Sequence, residues 1–356
     1  MLYYLASYIV NFFGPLRLLQ SYAVLISLAL YTGFVAVYVL LPRCYAFLPE
    51  DRGREFTVNA AAAKGKPTGS GVVFISVFVA AAAVFAPLDL LQLCMLALTW
   101  LTMLTGFLDD RSTVSWGEYK KGALDLAISV TAAVILYVLN PDRMDGGHVQ
   151  FWLPFITDPV SVAAPVYIAV AALLLWTSIN TTNCTDGVDG LSSTLVLIAL
   201  ITMGSLFYFV LGHKDIAAYL LIPHLADGAG WAIITFSLAG VLMGYLWHNA
   251  YPSKVLMGDA GSRALGFFIG VCVLVSGNPF LIFATSSVIF LNGGTGLLKV
   301  ALLRFFKIRI FDSVRFPLHD HMSKNRKWSP AQILVKFMIL QVLVTIAVLG
   351  IILKVR

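Results

Sequence analysis

Long apolar runs, each closed by a short polar cluster, recur along the whole chain. Ten of them approach the roughly 20 residues that a helix needs to cross a hydrocarbon core. They lie near 20–41, 70–87, 90–108, 122–139, 162–179, 190–211, 230–247, 263–277, 279–299 and 331–353. The eighth is short, and the apolar stretch 216–223 is expected outside the count, as a partial or re-entrant segment. No linker, low-complexity tract or clear repeat divides the runs. The pattern predicts a single all-α, polytopic membrane domain spanning 1–356, with about ten transmembrane helices. Segment 140–161 carries a D-G-G turn and is expected to form a small hairpin without chemistry.

Composition narrows this further. With 59% hydrophobic and 12% charged residues and a mean hydropathy of +0.87, a soluble globular domain is excluded. Cys44, Cys94, Cys184 and Cys272 have no paired spacing, so neither a disulfide framework nor a zinc ribbon is expected. The first positive charge is Arg17, so no basic region opens a cleavable signal, and the first apolar segment is expected to be retained.

A net charge of +6 could suggest nucleic acid, but its distribution speaks for topology. The loops after spans 1, 3, 5, 7 and 9 hold five, three, none, two and eight lysines and arginines. The opposite loops and both tails hold five, and Lys336 lies within the last span. The positive-inside rule then puts both termini outside and five loops in the cytoplasm, with no nucleic-acid partner.

All the polar clusters of interest fall on that same side. Asn180 to Gly190 reads N-T-T-N-C-T-D-G-V-D-G between two apolar runs. Carboxylates at membrane depth usually mark ion or anion handling, although a plain polar turn is the bland alternative. Lys64 to Gly71 reads K-G-K-P-T-G-S-G, a helix start with lysines and small donors suited to an anion such as phosphate. Snorkelling lysines at an ordinary helix start explain it equally well.

Asp109 and Asp110 are adjacent, with Lys120 and Lys121 following at the next span. Paired carboxylates beside a membrane suggest a cation, and oxygen-only donors favour Mg²⁺ or Mn²⁺ over zinc. Asn249 to Gly266 holds G-D-x-G-S, in which Asp259 sits between Gly258 and Gly261 ahead of Ser262. The only close histidine pair, His319 and His321, lies in F-P-L-H-D-H-M. Such a pair can bind metal, act in acid–base chemistry or contact phosphate. Upstream of it, K-V-A-L-L-R-F-F-K-I-R-I-F suits an anionic membrane surface.

Together the clusters describe phosphoryl transfer between a soluble diphosphate and a lipid, assisted by a divalent metal. A transporter is the rival reading, but its acids would be expected near the bilayer midplane rather than at span ends.

N-x-x-N-x-T-D-G-x-D-G, G-D-x-G-S-x-A-L-G, an early D-D and a late histidine loop, in this order on ten spans, resemble the polyprenyl-phosphate N-acetylhexosamine-1-phosphate transferases. Within that superfamily the phospho-N-acetylmuramoyl-pentapeptide transferases are most similar, over nearly the whole chain. P-L-H-D-H followed by K-W-S-P resembles their P-x-H-H-H and later tryptophan, and P-T-G-S-G resembles their P-T-M-G-G. Asp320 departs from the histidine triplet, Leu256 stands where an aromatic often stacks on uracil, and the loop from Phe311 to His319 looks longer than usual.

The resemblance implies transfer of phospho-MurNAc-pentapeptide from its UDP conjugate to undecaprenyl phosphate, giving lipid I and UMP with Mg²⁺, for peptidoglycan synthesis. A sister enzyme using another UDP-HexNAc for a different surface polymer is the alternative. The expected location is the bacterial plasma membrane, with the active site facing the cytoplasm. Membrane lipid is an expected partner, and a homodimer is compatible with the sequence.

On the same resemblance, Asp259 and Asp186 would hold the metal. Asp109 and Asp110 would stand by the lipid phosphate, with Asp109 the candidate base, and His319 would complete the catalytic set. Asn183, Asp189 and the Gly187–Gly190 backbone would bind the nucleotide. Lys64, Thr68, Lys121, Asn180, Asn249, Leu256, Gly258, Ser262 and His321 would be further substrate contacts.

Overall fold

The computed structural model describes residues 1–9, 14–53, 63–140 and 144–354. Arg54, Arg143 and Arg356, which enter the charge pattern above, lie outside the described residues.

After a short helix α1 (Leu2–Ile9), the long elements are α2 (Tyr22–Cys44), α3 (Gly71–Phe85), α4 (Leu90–Arg111), α5 (Glu118–Val138) and α6 (Ala164–Thr185). They continue with α7 (Leu191–Ser205), extended by a π-helical turn over Leu206–Leu211. A short α8 (Lys214–Tyr219) precedes α9 (Gly228–Asn249) and α10 (Gly258–Ser276). Then follow α11 (Leu281–Ile289), α12 (Thr295–Ala301), α13 (Leu318–Arg326) and α14 (Pro330–Lys354).

Nine helical stretches among the described residues are long and apolar enough to cross a membrane, and α3 is a tenth, shorter apolar helix. The ten predicted runs are therefore all helical. The stretch left outside the count, 216–223, contributes the short α8.

What organises the bundle is α10. All 19 of its residues are buried, so it is walled in by other helices on every side. Its small residues permit this. Gly266 lies against the α6 backbone, where Ser178 Oγ donates to the Gly266 carbonyl at 2.7 Å. Between apolar helices in lipid, association rests on such close packing and interhelical hydrogen bonds. By contrast, α2 and α14 expose Val35, Leu343 and Ile346 outward, a surface that lipid solvates and water would not.

The ninth run is not one continuous helix. Ser286 leaves helical geometry (φ −136°, ψ 17°). Gln341 of α14 repairs the break, accepting from the Val288 N–H at 2.9 Å and donating to the Ala284 carbonyl at 3.0 Å. Backbone groups freed inside a membrane need such a partner.

The expected hairpin is a three-stranded antiparallel sheet, β1 (Met144–Asp145), β2 (His148–Phe151) and β3 (Val160–Ala163), in that order. Gly146 and Gly147 turn the chain with positive φ, and Trp152 Nε1 donates to the Ser276 carbonyl at 2.8 Å, latching the sheet to the end of α10.

Three helix ends differ from the apolar pattern, all in one direction. The apolar run ends span 5 at 179, but α6 runs to Thr185; α4 runs through Asp109 and Asp110; and α5 begins at Glu118, ahead of Lys121. Helix hydrogen bonding does not require apolar side chains, so a helix continues past the apolar edge where its polar residues find partners. Asn180 Nδ2, for example, donates to the Trp176 carbonyl within α6 at 2.8 Å.

Candidate active site

The ends of α4, α6 and α9 meet the starts of α3, α5 and α10. The junction is built on Asp110. One of its carboxylate oxygens accepts the Asp259 N–H at 3.0 Å and the other the Ala260 N–H at 2.9 Å, capping the N-terminus of α10. These are donors that the helix itself leaves unpaired, and the helix dipole favours an anion there. Gly258, at φ +66°, makes the approach feasible, since a Cβ would lie 2.3 Å from Asp110 Oδ2. Asp110, expected beside a lipid phosphate, thus has both oxygens committed to holding α10, because the turn before that helix leaves its first amides facing α4.

Capping in turn presents Asp259 to α5. Lys121 Nζ lies 2.9 Å from Asp259 Oδ2 and also forms an ion pair with Asp109 Oδ2. The other Asp109 oxygen accepts the Trp116 N–H at 2.7 Å, so the carboxylate is fixed at both oxygens. Asp109 and Asp259 are both buried, at 7% and 4% exposure, so this ammonium is what balances two carboxylates largely withdrawn from water.

Alongside lies a cavity of about 270 Å³, lined by Asp51, Lys66, Thr68, Asp186, Gly187, Asp189 and others. Asn249, Leu256 and Gly258 complete its wall, together with Tyr251 and Pro330. Of the predicted site residues, seven therefore share one cavity.

Asp189 is held by Ser253, whose N–H and Oγ–H donate at 2.9 and 2.8 Å, while Lys66 Nζ donates to Ser253 Oγ at 2.9 Å. Asn249 staples this wall: its Oδ1 accepts the Gly190 N–H at 2.9 Å and its Nδ2 donates to the Val255 carbonyl at 2.8 Å. Asn249 is buried, and these bonds make it a strut of the wall as well as part of the cavity lining. Ser262 Oγ lies 3.3 Å from Asn183 Oδ1, tying the end of α6 to the first turn of α10. The start of α3 docks alongside, with Ser70 Oγ donating to the Leu256 carbonyl at 2.9 Å.

The histidines are placed differently from expectation. His319 is 2% exposed, its N–H donates to Asn292 Oδ1 at 2.8 Å, and its ring packs on Gly187, where a Cβ would fall 2.3 Å from Nε2. Burial pushes its pKa down from 6.5 to about 4, so at neutral pH it is an uncharged wedge behind the Asp186–Gly190 turn. His321, half-buried, accepts the Arg315 N–H at 3.3 Å. Of the two lysines in K-G-K, Lys64 is exposed and Lys66 is the one that reaches the cavity.

Sequence reasoning also missed Ser253 and Asn292. Nothing marks Ser253 in N-A-Y-P-S-K. Asn292, a carboxamide inside a predicted span, carried a usable signal, because polar groups at membrane depth are expensive.

A metal can be tested against this donor set. No group of three or more His, Cys, Asp or Glu side chains among the described residues is disposed to hold a metal alone. Oxygen donors from one or two carboxylates suit Mg²⁺, which keeps waters and takes further ligands from substrate phosphates. Asp259 fits that mode, with Asp186, the other expected ligand, on the wall of the adjoining cavity, whereas an all-protein cage among the described residues does not.

Fold and site together define an integral-membrane transferase. The chain belongs to glycosyl transferase family 4, which matches residues 92–277. It is 57% identical over 356 residues to the phospho-N-acetylmuramoyl-pentapeptide-transferase of Treponema pallidum (strain Nichols), covering 98% of this chain and 95% of the relative. The proteins of the same name from Campylobacter curvus and Helicobacter hepaticus are 31% and 29% identical, covering 80% and 98% of this chain and the same shares of their own. The resemblance drawn from the motifs holds.

Proposed function

We propose that the chain transfers phospho-MurNAc-pentapeptide from UDP-MurNAc-pentapeptide to undecaprenyl phosphate, releasing UMP. Its place is the bacterial plasma membrane, with the site on the cytoplasmic side. The observation that carries this reading is Lys121 held between Asp109 and Asp259, beside a cavity with Asp186, Asp189 and Lys66 on its wall.

In this reaction an oxygen of the acceptor phosphate bonds to the sugar-linked phosphorus, and the bond from that phosphorus to the UMP oxygen breaks. The acceptor is a monoester with a second pKa near 6, mostly dianionic at neutral pH, so proton removal is a small part of the barrier. Orientation and charge neutralisation dominate, as in other phosphoryl transfers. Lys121 supplies a positioned ammonium where negative charge accumulates, and Asp109 holds it there rather than serving first as a base. Asp110 keeps the α10 terminus, and with it Asp259, in place without touching substrate. Lys66 and the Gly187–Gly190 backbone offer donors to the nucleotide side. Bound at Asp259, with Asp186 or substrate oxygens as further donors, Mg²⁺ would supply Lewis-acid neutralisation of the diphosphate.

The experiment is UMP release by detergent-purified protein given undecaprenyl phosphate and MgCl₂. Turnover of UDP-MurNAc-pentapeptide and not UDP-GlcNAc is expected; the reverse preference would assign a sister reaction. Uptake into vesicles without any UMP release would support transport instead. Asp259→Ala should lose at least about 10²-fold in kcat, the scale of one preorganised charge at a transition state. Near-normal Mg²⁺-dependent turnover in that variant would end the metal assignment.

A further inference from the structure

One turn below the site, inside the membrane-spanning part of the bundle, lies an ion pair that the reaction does not use. Arg263 Nε donates to Asp125 Oδ1 at 3.1 Å and Nη2 contacts the same oxygen; each side chain is 1% exposed. Arg263 Nη1 has no hydrogen-bond partner among the described residues. As a stabilising device this is poor. Burying two charges costs more than one ion pair with an unpaired donor returns, and a matched apolar pair is often as stable or more so. On a helix buried along its whole length, something other than stability must account for an arginine.

Its position supplies the account. Asp125 follows Lys121 by four residues on α5, and Arg263 follows Asp259 by four on α10, so each pair shares one helix face. The two helices thus face each other through a ladder of alternating sign, with Lys121 on Asp259 and Asp125 on Arg263. Sliding α5 along α10 by about one helical turn would break both rungs and set Lys121 toward Arg263 or Asp125 toward Asp259. The lower rung is therefore a register lock for the upper one.

We propose that Asp125 and Arg263 are positioning residues for the transfer reaction, fixing α5 on α10 in the register that delivers Lys121 to Asp109 and Asp259. This rests on the transferase reading above. Neither residue touches substrate; both act through Lys121.

Single removals leave a lone buried charge and are expected to fold poorly, so the decisive variant is Asp125→Leu/Arg263→Met, which removes both charges and keeps volume. It is expected to purify with a melting temperature at or above that of the parent and an unchanged KM for the UDP substrate. Its kcat should fall about 10- to 100-fold, as displacement of a catalytic group by about 1 Å does. Arg263→Lys, which keeps the pair but has one donor centre and less reach, should give a smaller kcat loss at unchanged melting temperature. Parent-like kcat in a folded double variant, or in Arg263→Lys should the double variant not fold, would overturn the proposal. So would a kcat loss that only tracks lost melting temperature. An inactive parent would instead overturn the transferase reading, and this inference with it.

Discussion

Lys121 Nζ stands 2.9 Å from Asp259 and in contact with Asp109, so one ammonium from α5 bridges carboxylates from α10 and α4. This contact joins three helices at one point, and the catalytic proposal depends on it. Lys121→Ala leaves two buried carboxylates facing each other without their counter-charge. A loss of at least about 10²-fold in kcat/KM is expected, measured as UMP release, with partial recovery in Lys121→Arg. Parent-like activity in Lys121→Ala would remove the lysine from the mechanism.

Asp109 is tested by the shape of its pH profile. If it holds Lys121 rather than taking a proton, Asp109→Asn should lower kcat at every pH without moving the acid limb. Disappearance of that limb in the variant would restore the base assignment.

Asp110 accepts two backbone amides and should behave as a structural cap. Asp110→Asn replaces one acceptor oxygen with a donor that faces an N–H, at a cost of about 1–3 kcal/mol. Melting temperature and kcat should fall together, with KM for the lipid phosphate unchanged. A raised lipid KM at parental melting temperature would show that Asp110 meets substrate after all.

His319 gives the fold a pH dependence of known sign. Its folded pKa, about 4, lies below the unfolded 6.5 because burial disfavours the imidazolium. The unfolded chain therefore binds the proton first. Stability from this group is complete above pH 6.5 and is lost as pH falls toward 4, up to about 3 kcal/mol. Melting temperature measured between about pH 7.5 and 4.5 should drop less steeply in His319→Gln than in the parent. Equal slopes would mean that His319 is not the titrating group.

Gly187 packs directly on that ring. Gly187→Ala puts a methyl 2.3 Å from Nε2, so either the ring or the Asp186–Gly190 turn must move. An activity loss of about tenfold or more is expected, since small displacements of positioned groups are costly. A second substitution, His319→Ala, should recover part of that loss by making room; no recovery would place the damage elsewhere in the turn.

The membrane class, the ten helical runs and the polar segments that form the site can all be read from the order of the residues. Each rests on local physics: about 20 apolar residues suffice to span a membrane, and charged groups in such a chain must have partners. That is why the neighbourhoods of Asp109, Asp186, Asp259 and His319 are legible in the amino-acid pattern alone. The division of labour among them is not.

Asp110 and Asp109 are adjacent and chemically identical in the sequence, yet one caps α10 and the other grips Lys121, because successive residues on a helix point about 100° apart. Lys64 and Lys66 differ only in which one the start of α3 turns toward Ser253. Asp125 sits in an apolar run where nothing nearby explains it, since its partner lies 138 residues away on α10. Partners so distant in sequence are set by how helices pack, and only the folded bundle specifies that.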